Sequence, residues 1–288
     1  MRKTITLFFG IWSFMFCISA FSQNYYEQLL PSRLDFSNEK PKDFKGKILV
    51  LEEDTLFAKK HSAKDLSFLK PSQYNYQDII EQYQLIAFYP VFTDTKNSYY
   101  LPQWSSDIVV YLDPKLPEEV KVKFEKFYSD VSLKNVKNLK ISFTNQLKNA
   151  NYQIKTTEED INGYEKDFEF KTEQDRRKNM YTGATYSLHS DKNRKYYAAT
   201  LYINPKKIGT NELVLKRLKR VFYYSLGNFS TALVQENKNS LLDQEYNNSH
   251  KISTFDLNIL SIHYGVLYDH LVDYHIHRRL TQLATQHD

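Results

Sequence analysis

The sequence predicts an α+β protein: a twisted mixed β-sheet with packed helices and a helical C-terminus. Three observations carry this. Short β-rich apolar runs recur at 107–112, 139–143 and 151–154, each bounded by proline or polar residues. Between and after them, apolar residues fall at helical spacing behind recognisable capping residues. The chain of 288 residues is 41% hydrophobic and 15% aromatic, with 23 Tyr and 19 Phe against only 7 Gly, which is ample for one sizeable core. So little glycine excludes collagen-like and Gly/Ser-linker classes. It also leaves no G-x-G-x-x-G or G-x-x-x-x-G-K loop, which removes the common nucleotide-binding motifs.

Residues 1–22 read as a secretory signal peptide. Arg2 and Lys3 precede an apolar stretch from Ile5 to Ala20, and Ala20-Phe21-Ser22 supplies small residues for cleavage before Gln23. The alternative is an uncleaved anchor, but the run of about 16 residues is short for a span of ~20. Phe14-Met15-Phe16 before Cys17 also lacks the small residues a lipoprotein signal needs. The expectation is an exported protein, periplasmic or extracellular, with no stable transmembrane anchor. Cleavage removes Cys17, the single cysteine, so the mature chain has no thiol for disulfides, catalysis or metal. Loss of Arg2 and Lys3 takes the formal net charge from +5 to +3, with charges interspersed, so no nucleic-acid partner is expected.

Residues 23–95 read as an N-terminal extension packed on a main domain at 96–288. Within the extension, Lys47-Ile48-Leu49-Val50-Leu51 is a strand signal and Ile79 to Phe88 reads as a helix or a helix-strand piece. In the main domain the strand Asp107 to Leu112 is broken by Pro114 and Pro117, and Glu118-Glu119 forms an acidic first turn. Val120, Phe124, Phe127 and Val131 then keep helical spacing. Strands follow at Leu139–Phe143 and Asn151–Ile154, and the charged stretch 156–180 reads as a surface loop. Arms at Tyr181–Leu188 and Tyr196–Ile203 form a hairpin, with Pro205 ending the second. Thr210 or Asn211 caps a helix through Leu213, Leu218 and Phe222 that stops at Gly227. Ser253-Thr254-Phe255-Asp256 is a capping box opening a helix to Gly265, and a last helix spans about Val266 to Leu283.

This order of strand, helix, strand, strand, edge strand, strand, helix, Gly, loop and capped helix resembles the catalytic domain of metzincin-type (zincin) zinc metalloproteases. The nearest likeness is to divergent secreted bacterial relatives with an altered active-site helix. Tyr224-Ser225-Leu226-Gly227 is similar to the end of the family's H-E-x-x-H-x-x-G-x-x-H helix. Ser240-Leu241-Leu242 is similar to the turn beneath the metal, and Ile252-Ser253-Thr254-Phe255-Asp256 with Tyr264-Gly265 to the helix that follows. The likeness spans roughly residues 100–266. The resemblance implies that the zinc-ligand positions are Arg220, Tyr224 and Ser230, and that the general base is replaced by Val221. Zinc needs imidazoles at i and i+4 on one helical face. A guanidinium stays protonated and repels a cation, and valine carries no exchangeable proton. The resemblance thus implies a pseudoenzyme with no catalytic residue, no cofactor and no metal.

Other candidates remain on the residues themselves. Arg220, Tyr223, Tyr224 and Ser230 are binding candidates in the relic cleft, although Arg220 reads more readily as a buried partner of a carboxylate such as Asp256 or Glu245. Of the C-terminal histidines His263, His270, His275 and His277, the set His270, Asp273 and His277 shares one helical face at i, i+3 and i+7. It is an alternative metal site, set against a plain amphipathic helix with polar histidines facing solvent. A Ser-His-Asp triad has no G-x-S-x-G elbow to support it. The hairpin 181–203 would be the cleft's edge, where the family binds peptide by strand addition, although it reads more readily as simple sheet structure. Exposed Tyr and Phe offer a further surface for carbohydrate. The expected function is an exported, non-catalytic, metalloprotease-like protein that binds a peptide, protein or glycan. The alternatives are a metal-dependent hydrolase at the C-terminal histidines and a purely structural envelope protein.

Overall fold

The computed structural model describes residues 31–32, 47–51, 54–58, 67–76, 78–89, 99–161, 182–191, 194–230, 237–265, 268 and 271–285. The expected signal peptide and most of the charged stretch at 156–180 lie outside them. Near the N-terminus, β1 (Pro31–Ser32), β2 (Lys47–Leu51) and β3 (Asp54–Ala58) form a small antiparallel sheet in the order β1-β3-β2. Helix α1 (Ile79–Ala87) follows two short 3-10 turns.

The main sheet has six strands, five of them parallel to a neighbour: β4 (Gln103–Trp104), β5 (Ile108–Leu112), β6 (Ile141–Thr144), β7 (Tyr152–Thr156), β8 (Ala184–Ser190) and β9 (Lys195–Ile203). β6, β5, β7 and β9 lie side by side and parallel, while β8 closes the other side of β9 in antiparallel fashion. β4 shares the β7 side of β9, beside Lys195 and Tyr196. The register lines up Val110, Tyr152 and Ala199, then Leu112, Ile154 and Leu201, as rows across the sheet. All six are buried, while Val109, Tyr111, Gln153 and Thr200 between them are only half-buried. The period of two therefore gives the sheet one core face.

Helices α2 (Glu118–Tyr128) and α4 (Asn211–Gly227) contribute the side chains that meet this core. Phe222 of α4 is the hub: its ring lies 4.6 Å from Tyr128, 4.7 Å from Tyr152 and 5.4 Å from Phe124 in edge-to-face contacts. Among the described residues, most of the aromatic side chains are buried or partly buried in this core. α2 ends at Tyr128; Val131 falls in a separate 3-10 turn and is 70% exposed, so the helix stops three residues short of it. Pro205 does not merely end β9 but starts the short helix α3 (Pro205–Ile208), capped by Asn204.

Helix α5 (Thr254–Tyr264) begins at the expected capping box, with Ser253 Oγ accepting from Asp256 N at 3.1 Å. The final helix α6 runs Tyr274–Thr285, starting well after Val266. Asp273 takes its first-turn amide, accepting from Ile276 N at 2.8 Å. α1 packs against both α5 and α6, and its Ile79, Ile80, Tyr83 and Ile86 belong to the same buried cluster as the sheet. Among the described residues no helix is long and apolar enough to cross a membrane.

Candidate functional site

Helix α4 is capped by Thr210, whose Oγ accepts from Leu213 N, and it is buried on nearly every face beyond Val214. Three polar side chains leave its second half at i, i+3 and i+4, so they share one side. Arg220 Nε donates to Leu241 O at 3.0 Å, Tyr224 Oη to Leu242 O at 2.9 Å and Tyr223 Oη to Asp256 O at 2.9 Å. The turn at Ser240-Leu241-Leu242 is thereby roofed by α4. From beneath, the Asp256 carboxylate accepts from Ser240 Oγ at 2.6 Å, Leu241 N at 3.0 Å and Ser253 Oγ at 2.7 Å. Burial pushes the Asp256 carboxyl up to about 6, against the pull of these donors. Burial likewise raises the Tyr223 and Tyr224 phenols.

Arg220, Tyr223 and Tyr224 are 4%, 0% and 0% exposed, so their polar atoms serve the fold and none lines an open cleft. Arg220 bonds a carbonyl in place of the expected carboxylate; among the described residues neither Asp256 nor Glu245 lies within ion-pair distance of it. Asp256 is already saturated by hydroxyl and amide donors, which is why it needs no guanidinium. Val221 is buried in the core. Ser230 is half-buried, and its N–H donates to Ile86 O at 2.8 Å, tying the end of this segment to α1.

Gly227 is not the turning residue. It is the last helical residue, and Asn228 behind it takes the left-handed conformation at φ 49°, ψ 44°. What requires glycine at 227 is Phe229: a Cβ there would meet that ring at 2.4 Å. The Phe229 ring lies tilted against Tyr223 at 5.7 Å and edge-to-face with His263 at 5.0 Å.

The C-terminal histidines separate. His270 lies outside the described residues; of the other two, Asp273 precedes α6 as its cap and His277 is fully buried. His277 faces the core and not solvent: Nδ1 lies 3.0 Å from Gln84 Nε2, its ring packs on Tyr83 and Phe88, and Nε2 meets no partner among the described residues. Burial drives its pKa down to about 3. His263 is also buried, bonded to Tyr83 Oη at 3.1 Å and Pro102 O at 3.0 Å. Among the described residues no group of three or more His, Cys, Asp or Glu could hold a metal ion.

The hairpin forms as β8 and β9, and among the described strands β8 pairs with β9 alone. Asn204 N donates to Gly183 O at 2.7 Å, so the alternation that follows turns the backbone of Leu188 away from β9. Ser187, His189 and Ser190 are exposed along it. The large aromatics exposed among the described residues are Tyr197 at 54% and Tyr202 at 39%, both on β9. Sequence reasoning missed the buried Lys219 of α4, which reads as a surface lysine because nothing in the spacing marks it as interior. Comparison of the chain with family models, with curated proteins and with solved structures finds no match.

Proposed function

We propose that this chain is an exported, non-catalytic protein built on the metzincin plan, and that it binds an extended peptide along the outer side of β8. The observation that carries the reading is the fate of the residues at the ligand positions. Arg220 and Tyr224 are buried and committed to the carbonyls of Leu241 and Leu242, so the helix that would carry zinc is instead riveted to the turn below it. The order of strand, helix, strand, strand, antiparallel edge strand, strand and capped helix supports the same plan. Strand addition uses backbone groups only, so it is compatible with the loss of every metal ligand.

Two measurements test this. Metal analysis of the purified mature chain should find no stoichiometric zinc, and denatured casein should remain uncut; bound zinc with proteolysis would sink the non-catalytic reading. In hydrogen exchange, a library of extended peptides should slow the amide of Leu188, which points away from β9. Slowing elsewhere with none at β8 would move the binding surface off this strand.

A further inference from the structure

We propose that the cleft between α2, the first turn of α4 and the 247–250 loop binds a small oxyanion, a phosphate or carboxylate group seated over Lys219. The cleft encloses about 730 Å³ and has Lys219 among its lining residues. Lys219 is 2% exposed, yet among the described residues its ammonium meets only neutral groups: Asn248 Oδ1 at 3.1 Å, Ser249 O at 2.9 Å and the Phe127 ring at 4.4 Å. A buried ammonium without a counter-ion is costly, and an anion delivered from the cleft would offset that cost.

The rest of the lining fits the same ligand. Lys123 and Lys126 add positive charge from α2, and His250 offers a further donor. Two carboxylates, Glu119 and Glu212, also line the cleft, leaving one of the three lysine charges unmatched. Glu119 is already bound to Lys123 at 2.6 Å and to Asn211 at 3.4 Å, which reduces its repulsion of an incoming anion. The positive end of the α4 dipole opens onto the same space through Asn211. Desolvation, aided by Lys123, lowers the Lys219 pKa to about 8, the direction expected of an ammonium that lacks an anion.

The test is calorimetric titration of the full chain at pH 7 with sodium phosphate and, separately, sodium succinate, ionic strength being held constant with NaCl. Saturable binding of at least one is expected, and whichever binds identifies the phosphoryl or the carboxylate source. Lys219→Met should weaken it at least about tenfold while the far-UV circular dichroism stays unchanged. Should Lys219→Met fail to fold, the exposed pair Lys123→Ala/Lys126→Ala decides, with a loss of roughly tenfold expected. Absence of saturable binding by both anions, or unchanged binding in whichever folded variant decides, overturns the proposal.

Discussion

Asp256 and His277 are both fully buried titratable groups, and burial moves them in opposite directions: the carboxyl up to about 6, the imidazole down to about 3. The signs follow from linkage. His277 takes up its proton near 6.5 when unfolded, so its contribution is full above that pH and is lost as pH falls toward 3. Asp256 ionises near 3.8 when unfolded, so its contribution is full below that pH and is lost as pH rises through about 6. Each slope approaches roughly 1.4 kcal/mol per pH unit, and between pH 4 and 6 they oppose one another. Stability by urea denaturation should therefore vary little over this interval from these two groups. His277→Leu should become more stable as pH falls from 6 to 4, and the same slope as in wild type would refute the assignment. Asp256→Ala, measured at pH 7, should cost about 3 kcal/mol, because Ser240, Leu241 and Ser253 lose their acceptor inside the core. A loss under about 1 kcal/mol would mean that the turn holds without it.

Helix α4 shows at the next scale what a sequence can and cannot disclose. Its cap at Thr210, its amphipathic start and its end near Gly227 were legible, because capping chemistry and periodicity are local. The capping box of α5 was legible for the same reason. The partners of Arg220, Tyr223 and Tyr224 were not: they are carbonyls 18 to 33 residues away, and any backbone carbonyl looks alike in a sequence. The start of α6 was misplaced for a related reason. His270 to Asp273 keep helical spacing on paper, but Val272 O accepts from Leu101 N, and Tyr100 and Asp273 form a bridge, so a tertiary contact claims this backbone before the helix starts. The reason for Gly227 was likewise invisible, since it is the ring two residues on. Gly227→Ala should cost about 2 kcal/mol or more through overlap with Phe229, and pairing it with Phe229→Leu should recover part of the loss. Equal destabilisation of the single and double variants, read by thermal denaturation, would point to a backbone cause.

Across the whole molecule, the N-terminal and C-terminal helices meet: α1 packs on α5 and α6, Tyr83 bonds His263, and Ile86 O receives Ser230 N from the segment after α4. Residues 67–89 thus behave as part of the main core. A chain beginning at residue 96 should lose its cooperative thermal transition, whereas a separable extension would leave that transition intact in calorimetry. The same architecture bears on how the molecule can be watched. The sequence has two tryptophans, and the expected leader contains one of them, Trp12. Trp104 would be left as the sole indole of the secreted chain, 1% exposed on β4, with Tyr152 and Tyr196 rings at 5.8 and 6.2 Å. Its emission should be blue-shifted and fed by energy transfer from those tyrosines. With that leader removed, a single native optical probe would sit where β4, β7 and β9 come together, and a red shift on denaturation would report the parting of that junction without any engineered label.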